Sequence, residues 1–212
     1  MLTQEYWNNI GFKKDFEDPL YTEKLAPHIS KESVLVEYGC GYGRMLKPLQ
    51  LAGYKNLTGF DFAPNMIQRG KTENPDLDLR LLAENKKIPL LDQSVDGLFM
   101  STVLCSMVNK NEQLILMDEI SRVLKSDGIL YLTDFMICNH PSSKEKYSKG
   151  LMETGEWGMY TTSEGLTVRH YTTSWIMEIL KNFDIQWFEQ FDFKTMNNNP
   201  ARTFHCIAKK RI

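Results

Sequence analysis

The sequence predicts a doubly wound α/β fold: a seven-stranded sheet, mostly parallel, finished by an antiparallel hairpin. Three observations predict it. Strand-like and helix-like stretches alternate from Lys31 to Asp134, the rhythm of parallel strands joined by crossover helices. The runs 33–38 (SVLVEY) and 128–134 (GILYLTD) are almost continuously apolar, as strands covered on both faces are. Near the end, Asn197-Asn-Asn-Pro200 separates two further runs, 184–193 and 203–209, and that turn chemistry reads as a hairpin.

The other strands fall at 57–61, 77–82 and 95–101. Gly43–Leu51 is the first crossover helix, and Ala63–Lys71 carries Pro64 in its opening turn, where proline costs no hydrogen bond. Asn111–Lys125 has apolar residues at 114, 117, 120 and 124, with Lys125 near its end and Gly128 just beyond, a helix with its stop signal. Residues 139–171 break the rhythm: they are polar and turn-rich, with Tyr147, Trp157, Tyr160 and Tyr171 scattered among them. Thr172–Lys181 then returns to a helical pattern. The expected organisation is one domain over 1–212, with an N-terminal helical cap (1–30), a ligand-binding core (31–135), a lid insertion (136–171) and a C-terminal helix and hairpin (172–212).

Composition narrows the function. A 212-residue chain with 42% hydrophobic and 25% charged residues is built to bury a globular core. A net charge of −2 gives no electrostatic case for binding nucleic acid or an anionic membrane. No apolar run approaches the ~18 residues that span a bilayer, and the N-terminus lacks the layout of a signal peptide. Cysteines at 40, 105, 138 and 206 form no C-x-x-C pair, so neither a zinc site nor a disulfide framework is expected, and a reducing cytoplasm fits best.

The first strand runs into Gly39-Cys-Gly41-Tyr-Gly43 ahead of a helix. Glycine permits φ > 0 and lets a ligand lie against bare backbone, while a helix start adds unpaired N–H groups. Asp61 ends the second strand, where a carboxylate can accept both hydroxyls of a ribose. Taken alone, the turn is also a tight connection and Asp61 an N-cap. Two cofactor classes compete. The dinucleotide fingerprint needs a glycine at position 44, where the chain has Arg44. Glu37, two residues before Gly39, would repel a pyrophosphate and attract a cationic group.

Glu37-Tyr-Gly39-Cys-Gly41-Tyr-Gly43 resembles the first motif of the class I S-adenosylmethionine-dependent methyltransferases, an acid followed by G-x-G-x-G. Gly59-Phe-Asp61-Phe-Ala-Pro-Asn-Met66 resembles that family's second-strand motif, and the stretch from Glu119 through Gly128 to Leu132 its later helix and strand. The resemblance runs from about Val34 to Phe135. It implies a Rossmann-like core, S-adenosyl-L-methionine as cofactor and methyl transfer as the activity. By the same resemblance, Gly39, Gly41 and Gly43 line the methionine and ribose portion, and Glu37 supports the turn beneath. Asp61 holds the ribose hydroxyls, Phe62 and Met66 contact the adenine, and Ser101 faces the methionine end. The family often has an acid for the adenine amino group where Leu82 stands, so that role passes to Glu84 or to the backbone of Ala83.

For the acceptor, the candidates are His140, His170 and Tyr160 of the lid insertion. A histidine titrates near neutral pH and could deprotonate a hydroxyl or amine; a structural histidine is the competing reading. Tyr6-Trp7 and Phe12–Phe16 form either another part of the lid or an ordinary terminal helix. No carboxylate cluster suggests a metal. The expected function is methyl transfer to an oxygen or nitrogen of a small-molecule acceptor. A non-catalytic cofactor-binding module on the same fold and an NAD-dependent oxidoreductase are the alternatives.

Overall fold

The computed structural model describes residues 3–83, 87–195 and 198–211. Seven strands form one sheet: β1 (Val34–Tyr38), β2 (Asn56–Asp61), β3 (Asp78–Leu81), β4 (Val95–Ser101), β5 (Leu124–Met136), β8 (Phe183–Lys194) and β9 (Pro200–Lys210). Their order is β3-β2-β1-β4-β5-β9-β8. The first five run parallel, β9 is antiparallel to β5, and β8 is antiparallel to β9. This is the Rossmann-like arrangement with a terminal hairpin. The order reverses between β1 and β4, and a crevice opens beyond the carboxyl ends of strands at such a switch point.

Alternation along β1 divides its side chains between two layers. Leu35 packs with Met45, Leu46, Leu49 and Ile67, under α3 (Leu46–Leu51) and α4 (Pro64–Glu73). Val36 packs with Leu116, Ile120 and Ile176, under α5 (Lys110–Val123) and α7 (Thr173–Ile179). Each fully buried Leu or Ile contributes roughly 1.5–3 kcal/mol, so these two layers hold the site in place.

Three expectations need correction. The first crossover helix starts at Leu46, because Gly43 sits at φ +87, outside helical geometry. The helix over 111–125 ends at Val123, since Leu124 is already extended and pairs with Val95. Gly128 is therefore a turn residue inside β5: Asp127 has φ +67, and a Cβ on Gly128 would stand 2.9 Å from the Lys125 carbonyl oxygen. The insertion over 136–171 is regular where turns were expected, with α6 at Pro141–Thr154 followed by an antiparallel ribbon of β6 (Met159–Thr161) and β7 (Thr167–Arg169). At the final hairpin, Asn197 lies outside the described residues, and Pro200 opens β9.

The N-terminal segment contains α1 (Thr3–Asn9) and α2 (Thr22–Leu25). Tyr6 of α1 packs with Leu166 and Val168 of the ribbon in a small cluster apart from the two sheet layers.

Candidate active site

A cleft open to solvent at its mouth lies at the β1–β4 switch point. Glu37, Gly39, Gly41, Asp61, Phe62, Met66 and Ser101 all line it. Gly39 and Gly41 sit at φ +72 and +55. A Cβ on Gly39 would stand 2.4 Å from a Val103 methyl, whereas one on Gly41 would meet nothing closer than the Met66 sulfur at 3.7 Å. The first glycine is thus required by packing, and the second leaves bare backbone at the cleft.

Asp61 ties the turn to the strand beside it. Its two carboxylate oxygens accept from the Gly41 N–H (2.9 Å) and the Ala63 N–H (2.8 Å). Burial raises its pKa, and the backbone N–H groups of Ala63, Gly41 and Phe62 oppose that rise. A carboxylate offers about four lone-pair sites, so each oxygen can accept one more donor. Glu37 is 2% exposed. Its Oε2 has no hydrogen-bond partner among the described residues. Burial pushes its pKa well up, with nearby Arg44 acting the other way.

Sequence reasoning passed over Arg44, reading it only as a missing glycine. Its Nη2 donates to Ser101 Oγ at 2.7 Å and its Nη1 donates to the Asp18 carbonyl, which sets a guanidinium in the cleft wall. Thr102, Val103 and Ser106 were also missed, and they continue the wall beyond β4. Thr102 has φ +54, an outlier for a β-branched residue and of the kind that clusters at functional sites. From the N-terminal segment, Trp7 and Phe16 complete the lining of the cleft.

Other expected residues stand elsewhere. A Cβ on Gly43 would meet Leu77 at 2.8 Å, so this glycine serves packing against the chain before β3 and does not line the cleft. Ala83 is exposed and not part of the lining. Glu84 lies outside the described residues. His140 is exposed and caps α6: its ring nitrogen accepts from the Ser142 N–H at 3.3 Å. His170 stacks on Phe135 at 5.1 Å, and its ring nitrogens face the Tyr147 hydroxyl (2.8 Å) and the Tyr160 hydroxyl (3.4 Å). Enclosure among these rings pushes its pKa down to about 3, and burial raises that of Tyr160. None of the three lines the cleft, and their hydrogen bonds hold the lid together.

Residues 36–132 match the family model described as "Methyltransferase domain". That stretch of the chain carries a methyltransferase domain. Among curated proteins none matches it in sequence. Among solved structures, this methyltransferase is similar to an S-adenosylmethionine-dependent methyltransferase of Methanosarcina mazei, at 21% identity and a TM-score of 0.84, covering 92% of this chain and 100% of the other. It is similar to one from Anabaena variabilis at 15% identity and a TM-score of 0.64, covering 99% and 87%. A chain from the Haloferax volcanii complex of the Trm112 methyltransferase activator with a methyltransferase matches at 16% identity and a TM-score of 0.64, covering 90% and 88%.

The cleft fits the charges of S-adenosylmethionine. Unpartnered Glu37 Oε2 suits a cationic group, the free lone pairs of Asp61 suit ribose hydroxyls, and Arg44 suits a carboxylate. Among the described residues no group of three or more His, Cys, Asp or Glu is placed to hold a metal ion. No helix among them is long and apolar enough to cross a membrane.

Proposed function

We propose that the 212 residues act as one domain that methylates an oxygen or nitrogen atom of a small molecule. The observation that carries this reading is the wall beyond β4. The Thr102 hydroxyl donates to the Ser101 carbonyl at 2.8 Å and the Ser106 hydroxyl to the Val103 carbonyl at 3.0 Å. Both oxygens keep lone pairs for an acceptor O–H or N–H. Trp7 and Phe16 line the same cleft.

S-adenosylmethionine supplies an electrophilic methyl group, so the protein's own share is alignment and exclusion of water. In this reading Asp61 and Glu37 hold the cofactor's hydroxyl and cationic groups, and Arg44 with Ser101 fixes its carboxylate end. Thr102 and Ser106 orient the acceptor, and the aromatic cover keeps water out. All four cysteines are unpaired and buried, which supports a reducing cytoplasm as the compartment.

The test uses cofactor labelled in the methyl group, incubated with the protein and a native cell extract split at about 1 kDa. Label transferred to the small-molecule fraction is the expected result, with an ether, ester or N-methyl group in the product. Label appearing only in protein or nucleic acid would overturn the reading.

A further inference from the structure

We propose that Glu164 is a positioning residue for methyl transfer: it latches the N-terminal strap, residues 3–18, across the cofactor cleft. The proposal rests on the reading that this cleft holds S-adenosylmethionine. The strap gives the cleft two wall residues, Trp7 and Phe16. One edge of the strap is bound to the sheet side. Gln4 Nε2 donates to the Phe62 carbonyl at 2.9 Å, and Asn8 Oδ1 accepts from the Asn65 N–H at 2.9 Å. Arg69 Nη1 donates to the Lys14 carbonyl at 2.7 Å, and the Phe16 N–H donates to the Tyr42 hydroxyl at 3.1 Å.

The opposite edge is held from the turn between β6 and β7. A single oxygen of Glu164, Oε2, accepts from the Tyr6 hydroxyl at 2.8 Å and also from the Lys14 ammonium. Both points of attachment adjoin a cleft-wall aromatic. The Tyr6 ring meets the Trp7 ring edge to face at 5.3 Å. Lys14 lies two residues before Phe16, whose ring stands 5.9 Å from that of Trp7. Under the latch, Tyr6, Leu166 and Val168 share their own apolar cluster with Trp7, Ile10 and Tyr160, separate from both sheet layers. Strap and ribbon therefore form one cover, closed by one carboxylate. The Lys14 and Glu164 side chains are 17% and 36% exposed, so the ion pair is partly open to salt screening. Opening this latch frees Trp7 and Phe16 to lift, and the bound cofactor or its product leaves.

The experiment measures release of S-adenosylhomocysteine by stopped-flow tryptophan fluorescence on the full-length protein, with Trp7→Phe identifying the signal of the wall residue. Glu164→Gln keeps an acceptor for Tyr6 but loses the charge facing Lys14, Tyr6→Phe loses only the hydroxyl bond, and Glu164→Ala loses both. Release should quicken about threefold in each of the first two and about tenfold or more in Glu164→Ala, since a hydrogen bond to a charged group carries that scale of effect after discounting for exposure. Wild-type release should also quicken with added salt, and Glu164→Gln should lose that response. Wild-type release rates in Glu164→Ala, or a lowered melting temperature with an unchanged salt response, would overturn the latch. Failure of the wild type to bind S-adenosylhomocysteine at all would instead remove the cofactor reading, and the latch with it.

Discussion

Asp61 does two things at once: it closes the glycine turn through Gly41 and Ala63 and turns its remaining lone pairs to the cleft. Replacing it with alanine removes both, and S-adenosylhomocysteine binding should weaken by about 100-fold in calorimetry, given roughly 1.5–3 kcal/mol for a hydrogen bond to a charged group. Unchanged affinity would show that the ribose is held elsewhere. Gly39→Ala probes the turn itself. A side chain there is strained by φ +72 and also collides with Val103, so stability should fall by about 1–3 kcal/mol in denaturant melts. At this scale the sequence was readable wherever a residue acts through its own backbone or its place at a strand end, as with Gly39, Gly41 and Asp61. Arg44 was not readable. Its role depends on Ser101 and Asp18, which no spacing rule connects to a residue just after the glycine turn.

Among the elements, α6 shows why the lid resisted reading. Its buried residues are Ser143, Tyr147 and Gly150, so the contact face is made of small and polar side chains, and no apolar stripe marks a helix. Gly150 explains the choice, because a Cβ there would stand 1.8 Å from the Met159 carbonyl oxygen. Gly150→Val should therefore push α6 off the ribbon, lower stability by about 1–3 kcal/mol and speed hydrogen exchange across 141–169. Exchange as slow as in the wild type would contradict this packing. The end of α5 was misread for a related reason. Gly128 looked like a helix stop, yet Leu124 leaves the helix first because strand pairing with Val95 claims it. Lys210 Nζ then donates to the Ser121 and Leu124 carbonyls at that end, a cap supplied by the last strand.

Over the whole molecule, the mostly parallel sheet with its antiparallel end followed from alternation and the turn at 197–200, because parallel crossovers obey rules that local sequence displays. The cover did not, because its bonds join residues far apart in the chain, Tyr6 to Glu164 being one. Two titratable groups, the buried Asp134 and the half-buried His170, should shape the pH dependence of folding. The Asp134 carboxyl is pushed up to about 7 by burial, so between about 4 and 7 the folded state holds a proton that the unfolded state has lost, and stability falls as pH rises. His170, held down near 3, works oppositely: between about 3 and 6.5 the unfolded state binds the extra proton, and stability rises with pH. Where the windows overlap the slopes oppose. The two cancel there, so Asp134→Asn should leave a melting temperature that rises with pH between about 4 and 6.5, and His170→Phe one that falls. Parallel profiles for all three proteins would refute both assignments. The central claim is that the turn at Gly39–Gly43 and the Asp61 carboxylate hold S-adenosylmethionine. Calorimetry with S-adenosylmethionine, S-adenosylhomocysteine and NAD, on the wild type and Asp61→Ala, tests it most directly. Micromolar binding of both adenosyl ligands is expected, weakened about 100-fold in the variant, with no heat from NAD. Binding of NAD alone, or adenosyl affinity unchanged in Asp61→Ala, would contradict it.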